Sequence, residues 1–283
     1  MSIISLQSHV AAGHVGNSAA VYPLQRMGYD VCPVYTAALA HHPKRGEFHG
    51  ALTGPDTLTT IFHGLRAHGI FNRCDALLSG YLGNAASAEV LLEAWQAIRY
   101  ESAQSIFCCM PVIGDRQEGI YVDAALPDIF KNSLVPAATI IIANAFELEQ
   151  LSGIPVNDLA AATYAGNKIL KAGPSIVIAT SVPEESNQNL ANVLIQQDRV
   201  IVSRTRIVET TVKGTGDFFC AVWLGQYLAL LDPTLALGSA NAAVRVAVNL
   251  ASHENLLDLP VVKAINYCID RDDQFLIDPI SIL

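Results

Sequence analysis

Residues 213–217 read Lys-Gly-Thr-Gly-Asp and lead directly into the apolar segment 218–224, Phe-Phe-Cys-Ala-Val-Trp-Leu. This order predicts a helix that begins at the two glycines. The first N–H groups of a helix have no partner within it, and together with the macrodipole they favour an anion. Because Gly214 and Gly216 have no side chain, an anion can contact the backbone there. The stretch therefore favours a phosphate-binding helix start.

The acid in this turn, Asp217, would repel a bound phosphate. Its position suggests a second role, the acceptance of a proton from a hydroxyl that attacks phosphorus. The alternative is a capped turn in which Asp217 stabilises the helix dipole, and short glycine motifs recur by chance. The chain has no Gly-x-x-x-x-Gly-Lys-Ser/Thr sequence, which excludes a P-loop mechanism. A Gly-x-Gly-x-x-Gly pattern also fails, because position 219 is Phe.

Composition limits the class of protein. The 283 residues are 51% hydrophobic and 15% charged, without a Pro/Gly/Ser-rich linker, so we expect one domain over 1–283. A net charge of −9 without a basic tract argues against nucleic acid and against a membrane surface as partner. The six cysteines lack Cys-x-x-Cys spacing, and the adjacent Cys108 and Cys109 suit reduced core thiols. With no long apolar span and no basic flank at the N-terminus, we expect a cytoplasmic location.

Short β-rich runs alternate with segments of helical length along the chain. Such alternation predicts an α/β fold with a mostly parallel sheet covered by helices. Two later runs separated by Gln197-Asp198 predict a hairpin, and two helices are expected after the glycine–acid turn. The predicted strands are 3–6, 31–35, 76–79, 105–109, 139–142 and 175–179, the hairpin is 190–196 with 199–206, and the late helices are 233–251 and 260–270.

Four segments after predicted strands carry polar or glycine residues, namely 7–17, 110–115, 144–147 and 213–217. Ligands of open α/β sheets bind at the carboxyl ends of the strands, so these segments are the candidate site. In 144–147, an amide and a carboxylate one helical turn apart can face the same way. Each residue has a structural alternative, since Asn144 suits a helix cap, Asp115 a turn and Ser8 an ordinary loop hydroxyl.

Five motifs occur here in the order found in pyridoxal kinases, and the chain resembles that family of the ribokinase-like superfamily over nearly its whole length. The resemblance implies a ribokinase-like three-layer sandwich, with helices on both faces of a mostly parallel sheet, and a homodimer. It also implies ATP-dependent phosphorylation of the 5′-hydroxymethyl group of pyridoxal, with pyridoxine and pyridoxamine as further substrates. The motifs are Gln7-Ser8-His9-Val10, Gly80-Tyr81-Leu82-Gly83, Pro111-Val112-Ile113-Gly114-Asp115, Asn144-Ala145-Phe146-Glu147 and Gly214-Thr215-Gly216-Asp217.

Carried over by position, the resemblance implies roles at the nucleotide. Asp217 matches the catalytic base, and the glycine turn before it matches the anion hole that stabilises the transferring phosphoryl group. Asp115 and Glu147 match the acids that hold Mg²⁺ through water. The implied nucleotide-binding residues are Asp115, Asn144, Glu147, Thr180, Lys213, Gly214, Thr215 and Gly216.

At the vitamin, Ser8, Val15 and Tyr81 match positions that line the pyridine ring, beside Asp217. A flat heteroaromatic ring needs an apolar or aromatic wall and a few fixed polar groups. Residues 40–50, Ala-His-His-Pro-Lys-Arg-Gly-Glu-Phe-His-Gly, match the flap that closes over the substrate and excludes water.

Within this flap, His42 matches the histidine of the family and is a substrate-binding candidate. A metal site is an alternative interpretation of the cluster of His41, His42 and His49. Adjacent histidines do not have a zinc spacing, and a polar loop explains them equally well.

Several positions depart from the family pattern. Met110 stands where the family has aspartate, Ile142 where it has threonine, and Ala179 where our alignment places a second threonine. In the family these three positions help to hold a monovalent cation beside the nucleotide phosphates. Their joint change to apolar residues predicts that this cation site is lost. Pro43 also replaces a flap threonine that often bonds the substrate.

Three functions therefore stay open. An intact Asp217, anion hole and Asn144/Glu147 pair favour an active pyridoxal kinase, because loss of the base costs more rate than loss of an auxiliary ligand. Met110 favours a catalytically weak relative that binds B6 compounds or nucleotide. A hydroxymethylpyrimidine kinase would use the same groups, although the ring contacts expected at Ser8 and Tyr81 argue against it.

Overall fold

The computed structural model describes residues 1–184, 188–269 and 275–283. Its main sheet has ten strands in the order β12-β11-β10-β9-β8-β5-β4-β1-β2-β3, and a second sheet pairs β6 with β7. The strands are β1 (Ser2–Val10), β2 (Asp30–Leu39), β3 (Gly50–Leu52), β4 (Cys74–Ser79), β5 (Ile106–Cys109), β6 (Gly114–Asp115), β7 (Gly119–Ile120), β8 (Ile140–Asn144), β9 (Ile176–Pro183), β10 (Asn189–Gln196), β11 (Arg199–Arg206) and β12 (Ile280–Ile282).

Helices connect these strands, and a π-helical turn joins α4 to α5. One short 3₁₀ turn lies between β2 and β3 and another precedes β4. The helices are α1 (Asn17–Arg26), α2 (Pro55–Ala67), α3 (Ala85–Glu101), α4 (Leu126–Ile129), α5 (Val135–Ala137), α6 (Ala145–Ser152), α7 (Leu159–Leu170), α8 (Thr215–Leu230), α9 (Pro233–His253) and α10 (Val261–Ile269).

The pairing confirms the prediction of a mostly parallel sheet. β1 pairs in parallel with β2 and β4, and the parallel order continues through β5, β8 and β9. Antiparallel pairing then adds the predicted hairpin of β10 and β11, with β12 outermost. At the opposite edge, short β3 pairs antiparallel with β2.

Each predicted strand and the hairpin are confirmed, and α9 and α10 confirm the late helices, although residue 270 lies outside the described residues. Four strands run beyond their predicted ends, to residues 10, 39, 144 and 183. The segment Gln7-Ser8-His9-Val10 belongs to β1, which pairs with β2 as far as Leu39, so Ser8 is a strand residue. Asn144 likewise ends β8. Polar residues continue these strands because ladder bonds at the carboxyl edge are backbone bonds that do not depend on side-chain hydropathy.

Two apolar cores lie on opposite faces of the sheet and give the three layers. One face packs against α2, α3, α6 and α7, and the other against α1, α8, α9 and α10. The start of α8 is buried all round, from Phe218 to Gly225, which is typical of a helix enclosed by the sheet and neighbouring helices. This enclosure holds the turn before α8 rigidly at the sheet edge. Among the described residues, no helix has the length and apolarity needed to cross a bilayer.

Candidate active site

The predicted site segments meet at the carboxyl edge of the parallel strands. The loop before α1 contacts the glycine turn before α8 so closely that a Cβ at Gly214 would lie 1.9 Å from the carbonyl oxygen of His14. A Cβ at Gly216 would lie 4.0 Å from the sulfur of Met110, which follows β5. Loops that are far apart in the chain therefore form one cleft.

Asp217 lies in the first turn of α8 and is held by the opposite loop. Its Oδ2 accepts a hydrogen bond of 2.8 Å from the backbone N–H of Gly16. Reduced solvation raises the pKa of Asp217 to about 6, and the Gly16 bond opposes that rise by favouring the carboxylate. A carboxyl with a pKa near the working pH can accept a proton and return it.

Gly16 makes this contact possible. Its φ is +54°, and an added Cβ would lie 2.4 Å from the backbone oxygen of Ser8. Only glycine tolerates both the positive φ and the close approach. Sequence reasoning missed Gly16, because the sequence within its loop contains no sign of a partner on α8.

The glycine turn has the geometry of an anion-binding helix start. Gly214 is the N-cap of α8 with φ +92°, and the N–H of Phe218 bonds its carbonyl oxygen at 3.0 Å. Helix geometry leaves the N–H groups of Thr215, Gly216 and Asp217 available for an external acceptor. The local structure is therefore the one that phosphate binding requires.

Asn144 and Glu147 form a capping box at the start of α6. The N–H of Glu147 donates to Asn144 Oδ1 at 2.9 Å, and the N–H of Asn144 donates to Glu147 Oε2 at 2.9 Å. The structural alternative for Asn144, a helix cap, is confirmed. Glu147 Oε1 also accepts from the N–H of Ile113 at 3.1 Å, and Asn144 Nδ2 donates to the carbonyl of Gly114 at 2.9 Å. The pair thus ties the loop after β5 to α6.

Burial has a strong effect on Glu147, which is 4% exposed. It raises the pKa of Glu147 to about 8, and the backbone N–H donors oppose that rise. Both carboxylate oxygens already contact backbone N–H groups. A metal ion near Glu147 would therefore interact through water rather than displace these bonds.

Asp115 is the last residue of β6, and its side chain caps the turn to β7, which is the structural role given as its alternative. Its Oδ1 accepts from the N–H groups of Gln117 at 2.9 Å and Glu118 at 2.8 Å. Its Oδ2 lies 3.9 Å from Nζ of Lys213. In the described part of the chain, no three His, Cys, Asp or Glu side chains are grouped as metal ligands. Such a site fits Mg²⁺ that arrives with phosphate, since Mg²⁺ uses one or two carboxylates besides phosphates and water.

The vitamin-side candidates lie beside this cleft. Ser8 is buried at the end of β1, and a Cβ at Gly16 would lie 2.6 Å from its Oγ. The hydroxyl of Thr36 donates to the carbonyl of Tyr81 at 2.6 Å and fixes that segment, and burial raises the pKa of Tyr81. Val15 is half-buried, and its side chain would lie 3.3 Å from a Cβ at Gly214.

The predicted flap, residues 40–50, extends from the end of β2 to β3. Within it, His42 accepts a hydrogen bond from the N–H of Lys44 at 3.3 Å. Burial and the nearby cationic side chains lower the pKa of His42, so its ring is neutral near pH 7. His41 and His49 meet edge to face, with ring centroids 6.5 Å apart, and Nδ1 of His41 bonds the carbonyl of His42 at 2.9 Å. These contacts account for the histidine cluster without a metal.

The structure corrects the alignment of Ala179. Met110 and Ile142 lie in the core on the α8 face of the sheet, whereas Ala179 lies in the core on the opposite face. Successive residues of a strand alternate between faces, so Thr180, not Ala179, shares the face of Ile142. Thr180 pairs in register with Asn144, and its Oγ1 bonds the carbonyl of Ala143 at 3.4 Å. One hydroxyl therefore remains at this edge.

Comparisons with known proteins agree with this geometry. A sequence family described as phosphomethylpyrimidine kinase matches residues 61–260. The pyridoxal kinase PdxY of Corynebacterium diphtheriae is 35% identical over 246 residues, which cover 86% of this chain and 87% of that protein. The pyridoxal kinase PdxY of Rubrobacter xylanophilus is 36% identical over 281 residues, which cover 92% and 95%. This chain belongs to the pyridoxal kinase family.

Solved pyridoxal kinases share the fold. The Leishmania donovani pyridoxal kinase in complex with ADP and pyridoxamine has a TM-score of 0.91 at 26% identity and covers 100% of this chain and 99% of that one. The complex of that enzyme with ADP and pyridoxine has a TM-score of 0.90 at 26% identity, with the same coverage. The expected ribokinase-like architecture and the resemblance to pyridoxal kinases are confirmed.

Sequence reasoning also missed Tyr121 at the pyridoxal kinase cleft. Its backbone N–H bonds the carbonyl of Ile113 at 3.1 Å, just after β7. Partial desolvation of its ring, together with the charges of Glu147 and Asp217, raises the pKa of Tyr121, which is 46% exposed. The available signal was that Tyr121 directly follows a hairpin that contains glycines. This hairpin is difficult to predict from the sequence, because each of its strands has only two residues.

Proposed function

We propose that this chain transfers the terminal phosphoryl group of ATP to the 5′-hydroxymethyl group of pyridoxal and produces pyridoxal 5′-phosphate. Pyridoxine and pyridoxamine are further acceptors. The observation that carries the proposal is the Asp217 carboxyl, held by Gly16 at the open N-terminus of α8. The relatives named pyridoxal kinase and the neighbouring structures with ADP and B6 compounds support it.

In this mechanism Asp217 acts as the base. The Gly16 N–H holds Oδ2, and the other carboxylate oxygen would receive the proton of the substrate hydroxyl. Asp217 accepts the hydroxyl proton as that oxygen attacks the terminal phosphorus. Because the pKa of Asp217 is raised to about 6, the ionised form dominates above that pH.

The turn of Gly214, Thr215 and Gly216 stabilises the charge that develops on the transferring group. Its backbone N–H groups are fixed before the reaction, so they need no reorganisation in the transition state. Lys213 adds a positive charge, and Asn144 and Thr180 border the phosphates. Mg²⁺ carried by ATP would neutralise phosphate charge, with Asp115 and Glu147 contacting it through water.

On the vitamin side, Ser8, Val15 and Tyr81 line the ring, and His42 approaches from the flap. A neutral His42 can donate or accept a hydrogen bond with a polar ring substituent. Closure of residues 40–50 excludes water, which would otherwise compete as phosphoryl acceptor.

We further propose that the monovalent cation site is lost. Met110 and Ile142 present apolar side chains where the family has oxygen ligands, and both are packed in the α8-side core. The hydroxyl of Thr180 alone is too small a ligand set for a hard cation.

Three further features belong to this proposal. We propose a single domain over 1–283, and a homodimer on the family resemblance. The net charge of −9 without a basic tract supports a cytoplasmic enzyme that binds neither nucleic acid nor membrane.

A hydroxymethylpyrimidine kinase is the second candidate, because the matched family is described as phosphomethylpyrimidine kinase. A weak B6-binding relative is the third, on account of Met110. One assay separates them. ATP consumption by the purified chain is measured with pyridoxal, pyridoxine, pyridoxamine and hydroxymethylpyrimidine, in Mg²⁺ alone and with K⁺ added.

Fast turnover of pyridoxal supports the first function. Turnover restricted to the pyrimidine would replace it with the second. Binding of pyridoxal without turnover would replace it with the third.

A further inference from the structure

Two lysines from distant parts of the chain share one carboxylate at the mouth of the cleft. Lys213, the residue directly before the anion hole, places Nζ 3.0 Å from Oε1 of Glu118. Lys44 of the flap forms an ion pair with the same oxygen. Glu118 lies in the turn between β6 and β7, beside Asp115. Two ammonium groups therefore converge next to the N-terminus of α8.

The flap is oriented so that Lys44 faces this side of the cleft. The next residue, Arg45, contacts the segment after α9, where Nη1 lies 2.7 Å from Oδ2 of Asp258 and Nη2 bonds the carbonyl of Leu257. Neighbouring flap residues thus contact two segments that are far apart in the chain. Arg45 anchors one side, which leaves Lys44 on the side of Lys213 and the phosphate turn.

The charges at this point can exchange partners. The side chains of Lys44, Lys213 and Glu118 are 42%, 38% and 20% exposed. Exposed ion pairs are weak, so another anion can displace a carboxylate from such lysines. A polyphosphate has more charge and more acceptor oxygens than Glu118, and charge-assisted bonds to phosphate are among the strongest hydrogen bonds.

We propose that Lys44 is a nucleotide-binding residue that the flap delivers. Lys44 and Lys213 together bind the terminal phosphates, and Glu118 holds both ammonium groups in place while competing with phosphate for them. The flap therefore closes on the nucleotide as well as on the vitamin. This inference rests on the proposed kinase function and adds a phosphate contact that comes from the flap.

The test measures binding by calorimetry with two probes in Mg²⁺, a non-hydrolysable ATP analogue and AMP. We expect Lys44→Met to raise the Kd of the ATP analogue about tenfold, because one charge-assisted phosphate bond is lost. The Kd of AMP should change by less than about twofold, since AMP lacks the terminal phosphates. Lys44→Arg should restore most of the affinity, because it keeps the charge.

The variant Glu118→Gln tests whether Lys44 binds phosphate or only attaches the flap to Glu118. If Glu118 competes with phosphate, its neutralisation should lower the Kd of the ATP analogue about two- to fivefold. If Lys44 only fastens the flap to Glu118, Lys44→Met and Glu118→Gln should weaken binding equally. Equal weakening, or an unchanged Kd in Lys44→Met, would overturn the proposal.

Two matched variants control the measurement. Lys263→Met removes an exposed lysine of α10 that pairs with Glu254, and it should leave both Kd values unchanged. Arg66→Met removes an exposed cation that pairs with Glu101, away from the flap, and should likewise leave both Kd values unchanged. Melting curves check folding, and Lys44→Gln replaces Lys44→Met if the latter does not fold.

Failure of the proposed function gives a different result. If the unmodified chain binds the ATP analogue but phosphorylates no B6 compound, the kinase proposal fails and the calorimetry still decides the role of Lys44.

Discussion

Replacement of Asp217 by asparagine should remove activity and stabilise the fold at the same time. Asparagine keeps an oxygen that can accept the Gly16 N–H, which lies 2.8 Å from the native carboxylate. It cannot take the proton of the substrate hydroxyl. We therefore expect kcat to fall by about 10²–10⁴-fold, the usual effect of removing a general base.

The gain in stability follows from the raised pKa. Asp217 rises from its usual 3.8 to about 6, and one pKa unit corresponds to about 1.4 kcal/mol. Two units give about 3 kcal/mol, and access of water to this partly exposed side chain lowers the expected gain to about 1–2 kcal/mol. In a chain of this size that raises Tm by about 2–4 °C.

The pH dependence has a definite sign. Below about pH 3.8 the carboxyl is protonated in both states and Asp217 has no ionisation cost. As pH rises from 3.8 to about 6, the unfolded state ionises first, so the native protein loses stability relative to Asp217→Asn. Above about pH 6 the difference in stability between the native protein and Asp217→Asn is constant.

The assay combines steady-state kinetics with pyridoxal and thermal melting of both proteins at about pH 4.5, 6 and 8. These pH values lie between, close to and above the usual and the raised pKa of Asp217. A stabilisation that grows with pH, together with the loss of kcat, supports the reasoning. Equal kcat values would remove Asp217 from the role of base. A variant less stable than the unmodified protein at pH 8 would show that the carboxylate is favoured by its surroundings, contrary to the burial argument.

The remaining predictions concern the glycine loop, the flap, the cation and pH. Gly16→Ala should destabilise the fold by about 2–4 kcal/mol, because its Cβ would lie 2.4 Å from the oxygen of Ser8; chemical denaturation measures this, and a loss below about 0.5 kcal/mol would contradict it. Cleavage of the flap by trypsin should slow when pyridoxal and a nucleotide analogue are both bound, and equal rates would argue against closure. Wild-type activity should be the same in K⁺ and Na⁺. Met110→Asp alone should not create K⁺ stimulation, because its carboxylate would be desolvated. Met110→Asp combined with Ile142→Thr adds two oxygen ligands beside Thr180 and should create K⁺ stimulation. Strong K⁺ activation of the unmodified chain would refute this. Finally, kcat/KM should rise with pH through about 6 as Asp217 ionises, and a flat profile would contradict its role as base.

Local patterns in the sequence were sufficient for much of the fold. The alternation of apolar runs with helical segments predicted the six parallel strands, the hairpin and the late helices. Glycines directly before an apolar run predicted the start of α8. These predictions succeed because strand alternation, helix caps and glycine turns depend on neighbouring residues.

Only the structure could show which face of the sheet each strand residue points to. A one-residue error placed Ala179 at the cation position, although Thr180 occupies the site-facing position beside Asn144. The sequence around these residues fits either register, because a short buried strand is apolar on both faces. Only the pairing of β8 with β9 shows which side chain meets the cleft.

The contacts that assemble the site were also beyond the sequence. Gly16 and Asp217 are 201 residues apart, and the flap lysine Lys44 meets Glu118 from another loop. The chemical identity of a base, a glycine or an acid can be read from the chain, and motif order suggested which chemistry they serve. Their partners depend on how the sheet brings the carboxyl ends of its strands together, because hydrogen bonds and ion pairs act over a few ångströms in space, whatever the separation along the chain.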